Sequence, residues 1–293
     1  MKIRWKIDLA ISGAFLVGLA LAGFGAYTIL TRNALEDSLQ NARIMIEGAS
    51  AIRKYTADYN WPLLEPQLKI QFLPQSVSAF AAQTTLKLVR QKLPEYTYRE
   101  PTLNPTNVND RASDWEADII NGFRDDSSKS ETVTIRDTPG GKFLTLSHPL
   151  KIGSQACLSC HSTPENAPPT MVALYGSQNG FGWKLGEIVG AQVVSIPLGV
   201  PLARAYQALF WFMLALAGTF IVTIVIVDVL LRVLVTRPVA EISEMADRVS
   251  MGQLDTPEYV HDSRDEIGSL SASFNRMRRS LQNAMSMLEE QQT

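Results

Sequence analysis

Cys157, Leu158, Ser159, Cys160 and His161 make a Cys-x-x-Cys-His segment, and its chemistry follows from the spacing. Two thiols separated by two residues can add to the two vinyl groups of one porphyrin. The imidazole directly after the second thiol is then placed beneath the iron as an axial ligand. The segment reads as the attachment site of one covalent haem c, with Cys157, Cys160 and His161 holding the cofactor and His161 binding the metal. Other uses of the pair fit poorly. A structural zinc site wants four ligands, usually as two such pairs, yet the sequence has 2 cysteines and 3 histidines in all. A thioredoxin-like redox pair would open a helix in a βαβ unit, whereas this pair is expected in a loop between Pro149 and the proline-rich residues 164–169. A plain disulfide has no need of His161.

The sixth iron ligand has few candidates. Met45 on the apolar face of a helix and His148 on the strand leading into the haem segment are the leading expectations for further metal ligands. Met171, after Pro168 and Pro169, is a third, and an open or water-bound position remains as the alternative. Oxygen or peroxide catalysis would want a polar distal pocket with histidine or arginine. Only Arg99, Arg111 and Arg136 can be nominated, with no spacing that joins them to the iron, so no enzymatic activity is expected.

The elements that carry this site are set by topology. The chain has 293 residues and a formal net charge of −2, length for two or three folded units, and no nucleic-acid partner is expected. Residues 7–30 are apolar apart from Asp8 and a few hydroxyls, long enough to cross the hydrocarbon core of a bilayer. The basic flank of Lys2, Arg4 and Lys6, against Glu36 and Asp37 beyond the run, keeps residues 1–6 in the cytoplasm. A cleaved signal peptide has the same basic head, but its apolar core is typically about 7–15 residues, shorter than this run. A second apolar run, residues 205–231, lies between Arg204 outside and Arg232 and Arg237 inside, and returns the chain to the cytoplasm. Residues 31–204 are then exported across the inner membrane into a periplasm, or into a thylakoid lumen. That is the side on which haem is covalently attached. Ala14, Gly18, Ala22 and Ala26 recur every four residues and offer a smooth face to another helix. Asp228 sits near the inner end of the second run, where an acid can reach the interface.

Beyond Arg237, Pro238 opens a segment with Ile242, Met245 and Val249 at steps of three and four. A connector containing Gly252, Leu254, Pro257 and Val260 leads to Asp265, Glu266, Ile267 and Gly268. From there Ile267, Leu270, Phe274, Met277, Leu281, Ala284 and Leu288 repeat the alternation. Two short helices with one apolar seam each can bury those seams in a parallel dimer, as a four-helix bundle. Residues 232–287 resemble the HAMP module of bacterial membrane receptors, on Pro238, the Asp265-Glu266-Ile267-Gly268 motif and the two seams. The resemblance implies a parallel homodimer that passes signals by a change of packing or helix rotation. No glycine-rich ATP site, phospho-acceptor histidine or cyclase-like segment appears before the tail, residues 288–293. The output is expected on a separate cytoplasmic partner such as a histidine kinase, or else the chain is a shortened member of a longer receptor class.

In the exported part, residues 41–64 read as a helix with Ile44, Met45, Ala49, Ile52 and Tyr55 at helical spacing, ended by Trp61 and Pro62. Helices are also expected over 77–92 and 115–124, with a proline- and asparagine-rich loop over 94–110. Residues 131–137 and 142–150 are β-branched and apolar around a Pro139-Gly140-Gly141 turn, a hairpin signature, and residues 187–198 read as another strand. The order argues an α+β, PAS-like domain. About residues 42–197 resemble a family of bacterial and cyanobacterial c-type haem sensor domains that long carried only an unknown-function label. The residues that carry the resemblance are Phe72 to Val77, Tyr96 to Arg99, Leu103 to Asn107, Asp114 to Glu116, Cys157 to Pro164 and Gly180 to Lys184. It implies a PAS-like fold holding one haem c ahead of a HAMP module, and says nothing of the ligand sensed.

The leading reading is a membrane-bound haem sensor of redox state or a diatomic gas, its partners being membrane lipid, a second copy of itself, a redox partner or gas, and the output protein. A membrane-anchored electron-transfer cytochrome is the alternative, and a receptor for a small organic ligand with haem as a structural group is a third.

Overall fold

The computed structural model of the chain describes residues 3–253, 255–260 and 263–290, with side chains between residues 5 and 287. Met1, Lys2 and the Arg4 side chain of the expected basic head, Leu254 and His261 of the connector, and the Leu288 side chain of the second seam lie outside the described residues. Two helical stretches, within Trp5–Lys69 and Gly199–Ser250, are long and apolar enough to cross a membrane. Residues 26–209 make one compact unit, and residues 1–25 with 210–293 make another.

The helix expected from residue 41 does not begin there. Nothing between Leu30 and Asn41 breaks a helix, and α1 (Ile3–Tyr55) runs through both segments without interruption. Nor does it stop at Pro62. A π-helical turn (Thr56–Asn60), closed by the Trp61 N–H on the Thr56 carbonyl, passes into α2 (Trp61–Leu64). Proline lies in the first turn of α2, where its missing N–H forfeits no helical bond. A 3-10 turn (Glu65–Lys69), a second (Pro74–Ser76) and α3 (Ser78–Arg90) follow.

The residue 26–209 unit is built on one antiparallel sheet of order β1-β4-β3-β2, from β1 (Thr97–Arg99), β2 (Thr132–Thr138), β3 (Gly141–Lys151) and β4 (Ile188–Pro197). Strands β2 and β3 form the expected hairpin, with Thr138 opposite Gly141 and Pro139 and Gly140 as its turn. Strand β1 lies inside the expected loop: three residues between prolines give no period to read. On one face α1 lays Ala42 and Ile46 against Leu144, Leu146, Val194, Ile196 and Leu198. On the other, α4 (Asp114–Asp125) lays Ile120 and Phe123 against Ile188, Ala191 and Val193. Side chains alternate across a strand, so β4 feeds both layers and reads as one apolar run. Each fully buried Leu or Ile here contributes about 1.5–3 kcal/mol relative to an exposed one. Helix α4 is started by a capping box in which Glu116 accepts from the Ser113 N–H at 2.8 Å.

Between β3 and β4 come α5 (Gln155–His161) and α6 (Pro169–Tyr175). The Cys-x-x-Cys-His segment is therefore helical, not a loop. Ser154 supplies the signal for it, its Oγ accepting from the Ala156 N–H at 3.1 Å as an N-cap.

In the other unit, α7 (Gly199–Leu231) passes through a π-helical turn (Arg232–Thr236) into α8 (Arg237–Ser250), and α9 (Glu266–Glu290) follows the connector. Asp265 caps α9, accepting from Ile267 and Gly268 N–H at 3.1 and 3.0 Å. The connector is tied to α9 at Tyr259, whose carbonyl accepts from Ser271 at 2.6 Å and Asn275 at 2.7 Å. Ile242, Val249 and Phe274 are buried together within one chain, with Met245 against them. Leu270, Met277 and Leu281 of the second seam stay 46%, 52% and 46% exposed.

Candidate functional site

Cys157 and Cys160 stand three residues apart on α5, one helical turn, so both thiols face the same way. Both are free and half-buried. With His161 they line a cavity of about 440 Å³, walled by Trp61, Phe72, Val77, Met171, Tyr175 and Trp183 among others. That volume is within the roughly 300–1,000 Å³ usual for small-molecule sites. Burial pushes the Cys160 thiol up from its ordinary value.

His161 is held from two sides. Its Nδ1 is 2.7 Å from the Gly180 carbonyl oxygen and 3.4 Å from Thr106 Oγ1. Its ring stacks on Trp183, centroids 4.0 Å apart and 15° from parallel. A carbonyl only accepts, so Nδ1 carries the proton and donates, leaving the Nε2 lone pair for a metal. Burial lowers the imidazole below its ordinary value, with the Gly180 bond opposing, and so favours the neutral ring that metal binding needs. The carbonyl is itself fixed. Asn104 accepts from the Gly180 N–H at 3.2 Å and donates to the Phe181 carbonyl at 3.3 Å. Gly180 has φ +84°, and a Cβ there would collide with Thr106, so only glycine lets this backbone approach so closely.

A polar wall completes the cavity, including Arg53 of α1, Glu100 after β1, Thr102 and Asp110. Glu100 is 3% exposed, pairs with Arg53 and accepts from Tyr98 OH at 2.7 Å. The Tyr98 oxygen in turn accepts from Gln192 at 2.9 Å. Thr102 Oγ1 is buried without a hydrogen-bond partner.

Of the residues expected to bind the metal, the structure brings Cys157, Cys160 and His161 together and leaves Met45 and His148 elsewhere. Met45 packs against the α1 face of the sheet, and His148 Nε2 lies 3.7 Å from Glu131; neither lines the cavity. The sequence puts Met45 on the apolar face of its helix, but not which layer of the fold that face meets. Met171 does line it, 3% exposed and in the cluster that packs on Cys160. Arg99 binds Glu116, Arg111 reaches Asn179 and Arg136 covers Trp115, and none of the three is a wall residue. In the sequence Asn104, Thr106, Gly180 and Trp183 carry the family resemblance alone, and their role in holding His161 is visible only in the fold. Glu100 and its network were missed, although Gln192, a lone amide in the apolar run of β4, was a signal that a buried polar partner existed.

The family described as Tll0287-like (Tll0287) matches the chain over residues 31–197, and the HAMP domain matches over residues 230–283. No curated protein matches the chain. Among solved structures, the chain is similar to "Crystal structure of the cyanobacterial heme-protein Tll0287", at 17% identity and a TM-score of 0.44, over 55% of this chain and 95% of that one.

Proposed function

The chain belongs to the Tll0287-like family, and from that premise we propose that it is a membrane-bound c-type haem sensor, of redox state or a diatomic gas, signalling through its HAMP domain. The observation that carries this reading is the α5 face of Cys157, Cys160 and His161 opening on one cavity, with Nδ1 of His161 engaged by the Gly180 carbonyl. The residues fit a haem. Two free thiols one turn apart suit two thioether bonds, an oriented neutral imidazole suits an axial ligand, and the apolar walls suit a porphyrin face. The buried Thr102 hydroxyl, without a partner of its own, is a group that an occupant would satisfy. Bound there, haem supplies an iron that changes oxidation state and takes small ligands. Cys157 and Cys160 would tether it and His161 Nε2 would be its donor, with Met171 on the wall as a second donor beside water or an exogenous ligand.

The remaining parts follow the same reading. The antiparallel sheet with helices on both faces supports a PAS-like domain. In this reading the apolar stretches of α1 and α7, long enough to cross a membrane, are its crossings, with the haem domain in the periplasm or a lumen and the HAMP domain in the cytoplasm. The exposed second seam is the face on which a second copy forms a parallel homodimer, and the output lies on a cytoplasmic partner such as a histidine kinase. The role is one of sensing, not catalysis.

The test is covalent haem. Protein made with haem-attachment machinery should stain for haem peroxidase activity on a denaturing gel, and the Cys157→Ala, Cys160→Ala double variant should not. An unstained wild type rejects the proposal.

A further inference from the structure

Among the described residues, Glu100 is the one carboxylate on the cavity wall that is fully enclosed. It is 3% exposed, and every charged or titratable group that faces it has an identity. From α1 comes Arg53, on Oε2. From β1 comes Tyr98, donating to Oε1 at 2.7 Å. From the 3-10 turn Val108–Asp110 comes Asp110, a half-buried second acid whose charge opposes that of Glu100 and which accepts from Gln83 of α3 at 3.1 Å. Strand β4 offers only the neutral Gln192, through Tyr98. Arg53, Glu100 and Asp110 line the same cavity as Cys157 and His161.

A carboxylate so placed is pulled toward both of its forms at once. Burial and Asp110 favour the acid, while Arg53 and Tyr98 favour the anion, with burial the largest influence and the net direction upward from the ordinary glutamate value. One unit of charge added to or removed from the cavity tips such a balance, because a low-dielectric wall transmits it with little screening.

We propose that Glu100 is a redox-linked proton site. When a one-electron reductant delivers an electron to the cavity's haem, the Glu100 carboxylate takes one proton from solvent and becomes the acid. When an acceptor removes the electron, the proton returns to solvent. Electron and proton thus move in together and out together, and the cavity's net charge is conserved. The acid form no longer holds Arg53 as an anion does, so the same event loosens α1 from the cavity wall. This inference rests on the haem reading above and adds to it the group through which redox state reaches a helix.

The measurement is the midpoint potential of the full-length haem-loaded protein against pH, by spectroelectrochemistry, with covalent haem assayed on the same sample as its alkaline pyridine spectrum. One proton per electron lowers the potential by up to about 59 mV per pH unit, over a window opening above the ordinary glutamate range. Glu100→Gln, which keeps the shape and the Tyr98 contact, should give a flat profile. Asp110→Asn should keep the slope, and Arg53→Gln should move its window to higher pH, since the cation no longer favours the anion. A flat wild type, or a slope that survives Glu100→Gln, overturns the inference and leaves the haem reading standing. A pyridine spectrum without covalent haem overturns both.

Discussion

Gly180 joins two demands at one residue: a positive φ of +84° and a backbone pressed against Thr106, so that its carbonyl meets His161. Gly182, with φ +81° and open space around it, makes only the first demand. An alanine at a left-handed position costs about 1–2 kcal/mol, and in a domain of this size each kcal/mol lowers Tm by about 2–4 °C. Gly182→Ala should show that cost alone, whereas Gly180→Ala adds the collision, melts lower still and weakens the iron–histidine stretch in resonance Raman spectra. Equal melting and unchanged spectra in the two variants would remove the carbonyl from its role in orienting the ring. At this scale sequence carried the grouping of two thiols and an imidazole on one cavity wall and little else. Cys157, Cys160 and His161 were legible because spacing along one chain dictates their geometry. Which methionine lines the cavity was not, because whether Met45 or Met171 reaches it depends on which layer of the fold its helix face meets, and those layers are joined only by long-range packing.

Elements were legible where a period ran long enough and no tertiary contact competed. The hairpin of β2 and β3, helix α4 and the pair α8 and α9 fall within a few residues of expectation. The short pieces were not. Strand β1 exists because β4 offers it an edge, with Thr97, Tyr98 and Arg99 opposite Ser195, Val194 and Val193. Helix α5 exists because Ser154 caps it, a signal present in the sequence but outweighed by the prolines around it. The cap that starts α9 gives a direct test. Asp265→Ala removes the acceptor of two N–H groups, and a lost N-cap costs about 1 kcal/mol. Circular dichroism of the full chain in detergent should show the cytoplasmic helices melting earlier by that amount, with Asp265→Asn or Asp265→Ser retaining most of the cap. A variant as stable as the wild type would mean that the bond of Ser271 and Asn275 to the Tyr259 carbonyl holds the connector without it.

For the whole molecule, the exposed residues Leu270, Met277 and Leu281 are where the proposed parallel dimer is tested. Apolar surface left in water costs roughly 25 cal/mol per Å², and a second copy laid parallel would remove it. Leu281→Cys should cross-link between protomers with an oxidant-free bismaleimide, at rates that differ between oxidised and reduced haem. Absence of cross-linking rejects the dimer, while equal rates in every haem state keep the dimer and favour the electron-transfer alternative. The π-helical turn Arg232–Thr236 bears on any attempt to transplant this module. Its closing bond runs from the Arg237 N–H to the Arg232 carbonyl, five residues back instead of four, so the turn stores one surplus residue. An α-helix advances about 100° per residue. A splice that drops a single residue inside this turn lets it tighten to ordinary α geometry with α8 still facing its original direction. The same omission higher in α7 swings every downstream side chain by about 100°. The joint tolerates shortening by one and has no matching allowance for lengthening, which fixes where a chimeric receptor should be cut and in which direction an error of one residue is forgiven.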